Sequence, residues 1–73
     1  MALLQESPKD VEARVSLGAL YAGRGTFEAA LIQFEAALGL EPAHVGALQG
    51  MSGTLLALDR IDDARTYLER ELD

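Results

Sequence analysis

The chain has no cysteine and no tryptophan, two prolines, two phenylalanines and two tyrosines, and half as many basic side chains (6) as acidic ones (12). Each shortage excludes something. Without cysteine, no disulfide and no thiolate metal site can staple a chain of 73 residues, although folds this small usually gain support from such devices or from oligomerisation. A single histidine, His44, leaves too few nitrogen ligands for a metal centre, so no cofactor or metal is expected. A net charge of −6 lacks the basic face that a phosphate backbone needs, so nucleic acid is not an expected partner. The same charge disfavours anionic membrane surfaces. A basic or apolar protein surface fits it better, and so does plain solvent. No apolar run approaches the roughly 18 residues that span a bilayer. Residues Met1 to Gln5 lack the basic and long apolar regions of a secretory signal. The compartment stays open, with cytoplasmic as the default.

Valine is sparse too, and each half holds one isoleucine. What remains is rich in Ala, Leu, Glu and Arg, which favours helix over strand. The spacing predicts four helices, over about 10–24, 26–39, 43–58 and 60–72. In the first, Val11, Val15, Leu17, Leu20 and Tyr21 recur at three- and four-residue steps. In the second, Phe27, Ala30, Leu31, Phe34, Ala37 and Leu38 form the apolar face. Pro8 suits a first helical position, where its missing amide costs nothing. Thr26 is the expected N-cap of the second helix, and Asp62 and Asp63 suit the first turn of the fourth. Arg65 and Glu69 stand at i, i+4, close enough to pair.

The punctuation repeats. Pro8 and Pro42 stand 34 residues apart (42 − 8), as do Gly25 and Asp59 (59 − 25), each in a position that suits positive φ. At the same offset Val11, Ala13, Ala30, Glu35 and Leu38 meet identical residues. Leu17 meets Met51, Gly18 meets Ser52, Tyr21 meets Leu55, Phe27 meets Ile61 and Phe34 meets Leu68, each within its volume class. Two helices per 34 residues indicate a helical repeat array. Gly18, Ser52, Ala30 and Ala64 are expected where helices cross, because a larger side chain would force the axes apart.

Leu17-Gly18, Tyr21, Gly25, Phe27, Ala30, Phe34, Ala37 and Pro42 resemble the tetratricopeptide repeat in identity and spacing. Arg14 departs from it, standing where an aromatic is usual. Met51-Ser52, Leu55, Asp59, Ile61, Ala64 and Leu68 give a looser second match. The resemblance covers 11–73 and implies an all-α fold of antiparallel helix–turn–helix repeats stacked as a superhelix. It places one repeat at 11–44 and a second, cut short, at 45–73. Residues 1–9 are then the tail of a preceding repeat and a linker, and the chain a segment of a longer array.

The resemblance further implies protein or peptide binding on the concave surface lined by the first helix of each repeat. Those positions are Glu12, Val15, Ser16, Ala19, Ala22 and Gly23, then Gly46, Gln49, Gly50, Gly53, Leu56 and Ala57. Val15, Ala19, Gly46 and Gly50 stand where some relatives carry a Lys, Asn and basic clamp for a terminal carboxylate. An apolar or helical segment is therefore the expected partner. The small residues are equally open to a plainer reading, in which they let neighbouring helices approach. Gly46, Gly50 and Gly53 each cost about 1 kcal/mol against alanine in a helix, which marks the third helix as the least stable unless a close contact compensates. His44, beside Glu41 at a helix start, reads as a capping or exposed residue.

No catalytic constellation emerges. Ser7, Ser16 and Ser52 lack a base in a nucleophile context, Asp62 and Asp63 diverge on their helix, and Gly23-Arg24-Gly25 lacks the frame of a phosphate loop. The chain is read as non-enzymatic, either an interaction scaffold or a self-assembling structural element. In the second case Leu3, Leu4, Tyr67, Leu68 and Leu72 are the exposed apolar ends that would form a homodimer. An accessory domain of a larger enzyme or regulator is a third class.

Overall fold

The computed structural model describes residues 8–72, with side chains over 10–70. The described residues form four helices: α1 (Pro8–Gly23), α2 (Phe27–Leu40), α3 (Val45–Ala57) and α4 (Ile61–Leu72). They contain no strand. Helices α1 and α2 form one antiparallel hairpin and α3 and α4 a second. Helix α2 packs on α3 to join them, and α1 also touches α3. The result is a slab of 42 × 30 × 12 Å.

Both hairpin turns are Schellman motifs, built alike in the two halves. The Thr26 amide donates to the Tyr21 carbonyl at 2.9 Å and the Gly25 amide to Ala22 at 3.0 Å. In register, Arg60 donates to Leu55 at 2.8 Å and Asp59 to Leu56 at 3.0 Å. These bonds satisfy carbonyls that a helix end leaves orphaned, and they require left-handed backbone at the residue between. Gly25 has φ 80° and Asp59 φ 62°. Glycine adopts that conformation freely, whereas Asp59 carries a Cβ into it. Asp59→Gly should therefore raise the unfolding free energy by about 0.5–1 kcal/mol, seen as a higher urea midpoint at unchanged slope.

Thr26 does not cap α2 through its side chain. It holds the N-cap position with φ −89° and ψ 69°, and its hydroxyl makes no capping bond. The preceding turn fixes its backbone away from the extended geometry that brings a hydroxyl over the next amides. His44 does cap α3: at φ −66° and ψ 114°, its Nδ1 accepts the Ala47 amide at 3.1 Å. In α4 the ion pair joins Arg60 and Asp63 at 3.0 Å rather than Arg65 and Glu69. Asp62 and Asp63 occupy the first turn, as expected.

The core gathers Val11, Ala30, Phe34, Ala37, Leu38, Ala47, Leu48, Met51, Leu55 and Ala64. Ala30, Ala64, Gly18 and Ser52 are all buried, in keeping with close helix crossings. The Ser52 hydroxyl donates to the Leu48 carbonyl at 2.8 Å and the Thr54 hydroxyl to Gly50 at 2.7 Å, so both bury without an orphaned group. Phe34 is the hub. A Cβ built on Gly18 of α1 would lie 2.8 Å from Phe34 Cε1, and one on Gly50 of α3 would overlap Cε1 and Cζ outright. The ring is thus held in a notch between two glycines on different helices. Of the five apolar positions expected to organise α1, Val11 buries fully, Val15 and Tyr21 bury in part, and Leu17 and Leu20 stay exposed.

Candidate functional site

Helices α1 and α3 lie side by side, and the residues between them define one face of the slab. At one end His44 links the two. Its Nδ1 is occupied by the Ala47 amide, so the ring hydrogen sits on Nε2, which donates to Glu12 Oε2 at 3.0 Å. The histidine's side-chain partner is thus Glu12 across the helix pair, while Glu41 receives only the His44 backbone amide, at 3.0 Å. With both ring nitrogens engaged, this histidine–carboxylate pair is a clasp between α1 and the start of α3.

Beyond the clasp, Val15 stands beside Gly46, whose added Cβ would lie 3.6 Å from Val15 Cγ1 and 3.0 Å from His44 Cε1. One turn further the face opens into a shallow depression of about 300 Å³. Ala19 and Ala22 of α1 and Gln49, Gly50 and Gly53 of α3 line it, with Phe27, Phe34 and Thr54 contributing from beneath. No lysine or arginine is among these lining residues. The three α3 glycines separate by role. Gly50 makes room for the Phe34 ring, Gly46 fits closely under His44 and Val15, and Gly53 faces open space.

Of the positions expected to bind a partner, Ala19, Ala22, Gln49 and Gly53 come together in this depression. Glu12 belongs to the clasp, Val15 is half-buried, and Ser16 is exposed on α1. Leu56, also exposed, lies towards the far end of α3. Among the residues assigned to self-association, Leu68 is exposed, while Tyr67 is half-buried against the core with the Arg70 guanidinium 5.4 Å from its ring centre. Leu3 and Leu4, and the side chain of Leu72, lie outside the described residues.

A second concavity escaped the sequence reading. On the opposite face α2 and α4 leave a groove of about 440 Å³, floored by Met51 and Leu55 and edged by Glu28, Ile32 and Glu35. Its signal in the sequence is the i, i+4, i+7 spacing of those three α2 residues, which apolar periodicity alone does not separate from a solvated face. Among the described residues no group of three or more His, Asp or Glu side chains is placed to hold a metal ion, and no helix is long and apolar enough to cross a membrane.

Neither a curated protein nor a solved structure gives a match to this chain. The family model described as tetratricopeptide repeat matches residues 21–70. That span takes in α2, α3 and most of α4, Phe34 with Gly50 on one side of its notch, and the second Schellman turn. With more than half of the sequence matched and the helix–turn–helix pairs in place, the chain belongs to the tetratricopeptide repeat family.

Proposed function

We propose that the α1–α3 face docks a short, largely apolar segment of another protein. Members of this family generally mediate protein–protein interaction. The observation that supports this location is the depression over Gly50 and Gly53, which combines an aromatic floor with small, uncharged walls. A partner meeting it desolvates apolar surface and one amide side chain, Gln49, and pairs with no cation. Such a site favours an aliphatic or aromatic anchor on a helical or extended segment over a terminal carboxylate. The glycines keep the wall low, so a partner can approach the α3 backbone closely.

Gly53→Arg tests this reading. Its Cβ points into open space, so the side chain fills the depression without disturbing the core. The probe is a panel of neutral helical peptides bearing Leu or Phe anchors, followed by amide chemical shifts of the labelled chain. Shifts should centre on Ala19, Ala22, Gly50 and Gly53, and Gly53→Arg should weaken the best binder at least about tenfold, or 1.4 kcal/mol. Shifts confined to the α2–α4 groove, or an affinity indifferent to Gly53→Arg, would count against the assignment.

A further inference from the structure

The 34-residue register allows each exposed apolar side chain to be compared with its counterpart, and the differences fall on two faces. On α3, Met51 and Thr54 are each 3% exposed, because α2 packs over them. Their counterparts on α1, Leu17 and Leu20, are 37% and 52% exposed. Ala47 is fully buried while its counterpart Ala13 is exposed. Ala13, Leu17 and Leu20 form an i, i+4, i+7 stripe, a helix face shaped for another helix. At the other end, Phe34 of α2 is 2% exposed and its α4 counterpart Leu68 is 42% exposed. Among the described residues, one chain therefore carries both halves of its own α2–α3 interface a second time with no described element covering them: the receiving half on α1 and the inserting half on α4.

The two halves also match in volume. Inside the chain the large Phe34 ring sits between Gly18 and Gly50. In register, Leu68 takes the place of Phe34, Ser52 that of Gly18 and Ser16 that of Gly50. Where the ring shrinks to an aliphatic side chain, both glycines grow to serines. A copy of Phe34 would clash with two serines, and a leucine between two glycines would leave a void. Leu68 between Ser52 and the Ser16 of another molecule avoids both. The exposed Ser16 also leaves room on α1 for that approach.

We infer that this chain associates head to tail with a second copy of itself, α4 of one molecule packing on the Ala13, Leu17 and Leu20 stripe of the next in the geometry that α2 and α3 adopt within the chain. The contact is heterologous, so each added molecule presents a fresh α4 and the assembly does not close at a dimer. It is separate from the α1–α3 depression, to which Leu17 and Leu68 do not contribute.

The test is mass in solution, by light scattering behind size exclusion, for the whole chain from micromolar to millimolar concentration. The wild-type mass should rise from 7.8 kDa past twice that value without a plateau at the dimer. Leu17→Glu removes the receiving face and Leu68→Glu the inserting face, so each alone should stay monomeric. Mixed in equal amounts, the two should form a heterodimer and stop there, since only one productive pairing survives. Both residues are surface-exposed, and circular dichroism should show unchanged helicity. If either variant loses it, Leu20→Glu or Ile61→Glu replaces it on the same face. A monomeric wild type throughout, a Leu17→Glu variant that still dimerises through α4, or a silent mixture would overturn the inference.

Discussion

Replacing Phe34 with alanine should lower the unfolding free energy by about 3–5 kcal/mol, the range for truncating a buried aromatic. The upper part of that range is expected here. Phe34 and Leu48 are the largest fully buried side chains among the described residues, and the Phe34 ring of α2 lies against Gly18 of α1 and Gly50 of α3. Its neighbours at the notch are Gly18 and Gly50, which have no side chains to swing into a void. Collapse would have to come from movement of whole helices, which cores resist. A domain of 73 residues holds about 4–11 kcal/mol in all, at about 0.05–0.15 kcal/mol per residue. The variant should consequently be substantially unfolded on warming. Urea titration followed by circular dichroism measures this directly, with Phe34→Leu as a milder companion that leaves part of the notch filled. A loss under about 1.5 kcal/mol for Phe34→Ala, well below the usual range, would mean that the helices close the gap and that the ring is not what joins the hairpins.

The helical pattern was legible because it rests on local chemistry. Proline at 8 and 42, left-handed turns at Gly25 and Asp59, and three- and four-residue apolar steps each act within one or two turns of chain. The small residues at the crossings, Gly18, Ala30, Ser52 and Ala64, were legible for a related reason: the repeat forces the same packing problem twice. Thr26 was misread because its sequence signal, a hydroxyl before an apolar run, takes no account of a Schellman turn that has already set its backbone. The clasp from His44 to Glu12 joins residues 32 apart (44 − 12), and nothing local announces it.

The candidate site was legible as a face and not as a shape. Assigning the first helix of each repeat to one surface groups Ala19, Ala22, Gln49 and Gly53, which line one depression. Which of those positions would form the depression depended on Phe27 and Phe34 from α2 standing beneath it, and helical phase on α1 and α3 cannot report that. The same phase reads Leu17 and Met51 as equivalent. Their opposite exposure arises because α2 covers α3 while no described element covers that side of α1. Burial in a repeat array is a property of neighbours, so identical patterns acquire different environments at different places along it.

Gly50→Ala and Gly53→Ala should change stability in opposite directions, although they lie three residues apart on one helix and make the same chemical change. On propensity alone each should stabilise by about 1 kcal/mol, because alanine loses less backbone freedom in a helix than glycine does. Gly53 should show that gain, because nothing lies within 4 Å of its added Cβ. Gly50 should not. Its Cβ would overlap the Phe34 ring at Cε1 and Cζ, and that ring is buried. Overpacking of a close-packed core costs about 1–3 kcal/mol; set against a propensity gain of about 1 kcal/mol, it leaves Gly50→Ala net destabilising, by up to about 2 kcal/mol. The pair isolates crowding from backbone entropy, since the entropy term is common to both. Adding Phe34→Leu to Gly50→Ala should recover part of the loss, giving a coupling of about 1 kcal/mol or more between two contacting sites. Urea midpoints of the four proteins and the wild type decide it. Equal stabilisation by both alanines would show that the ring shifts at no cost and that the glycine at 50 is there for a reason other than Phe34.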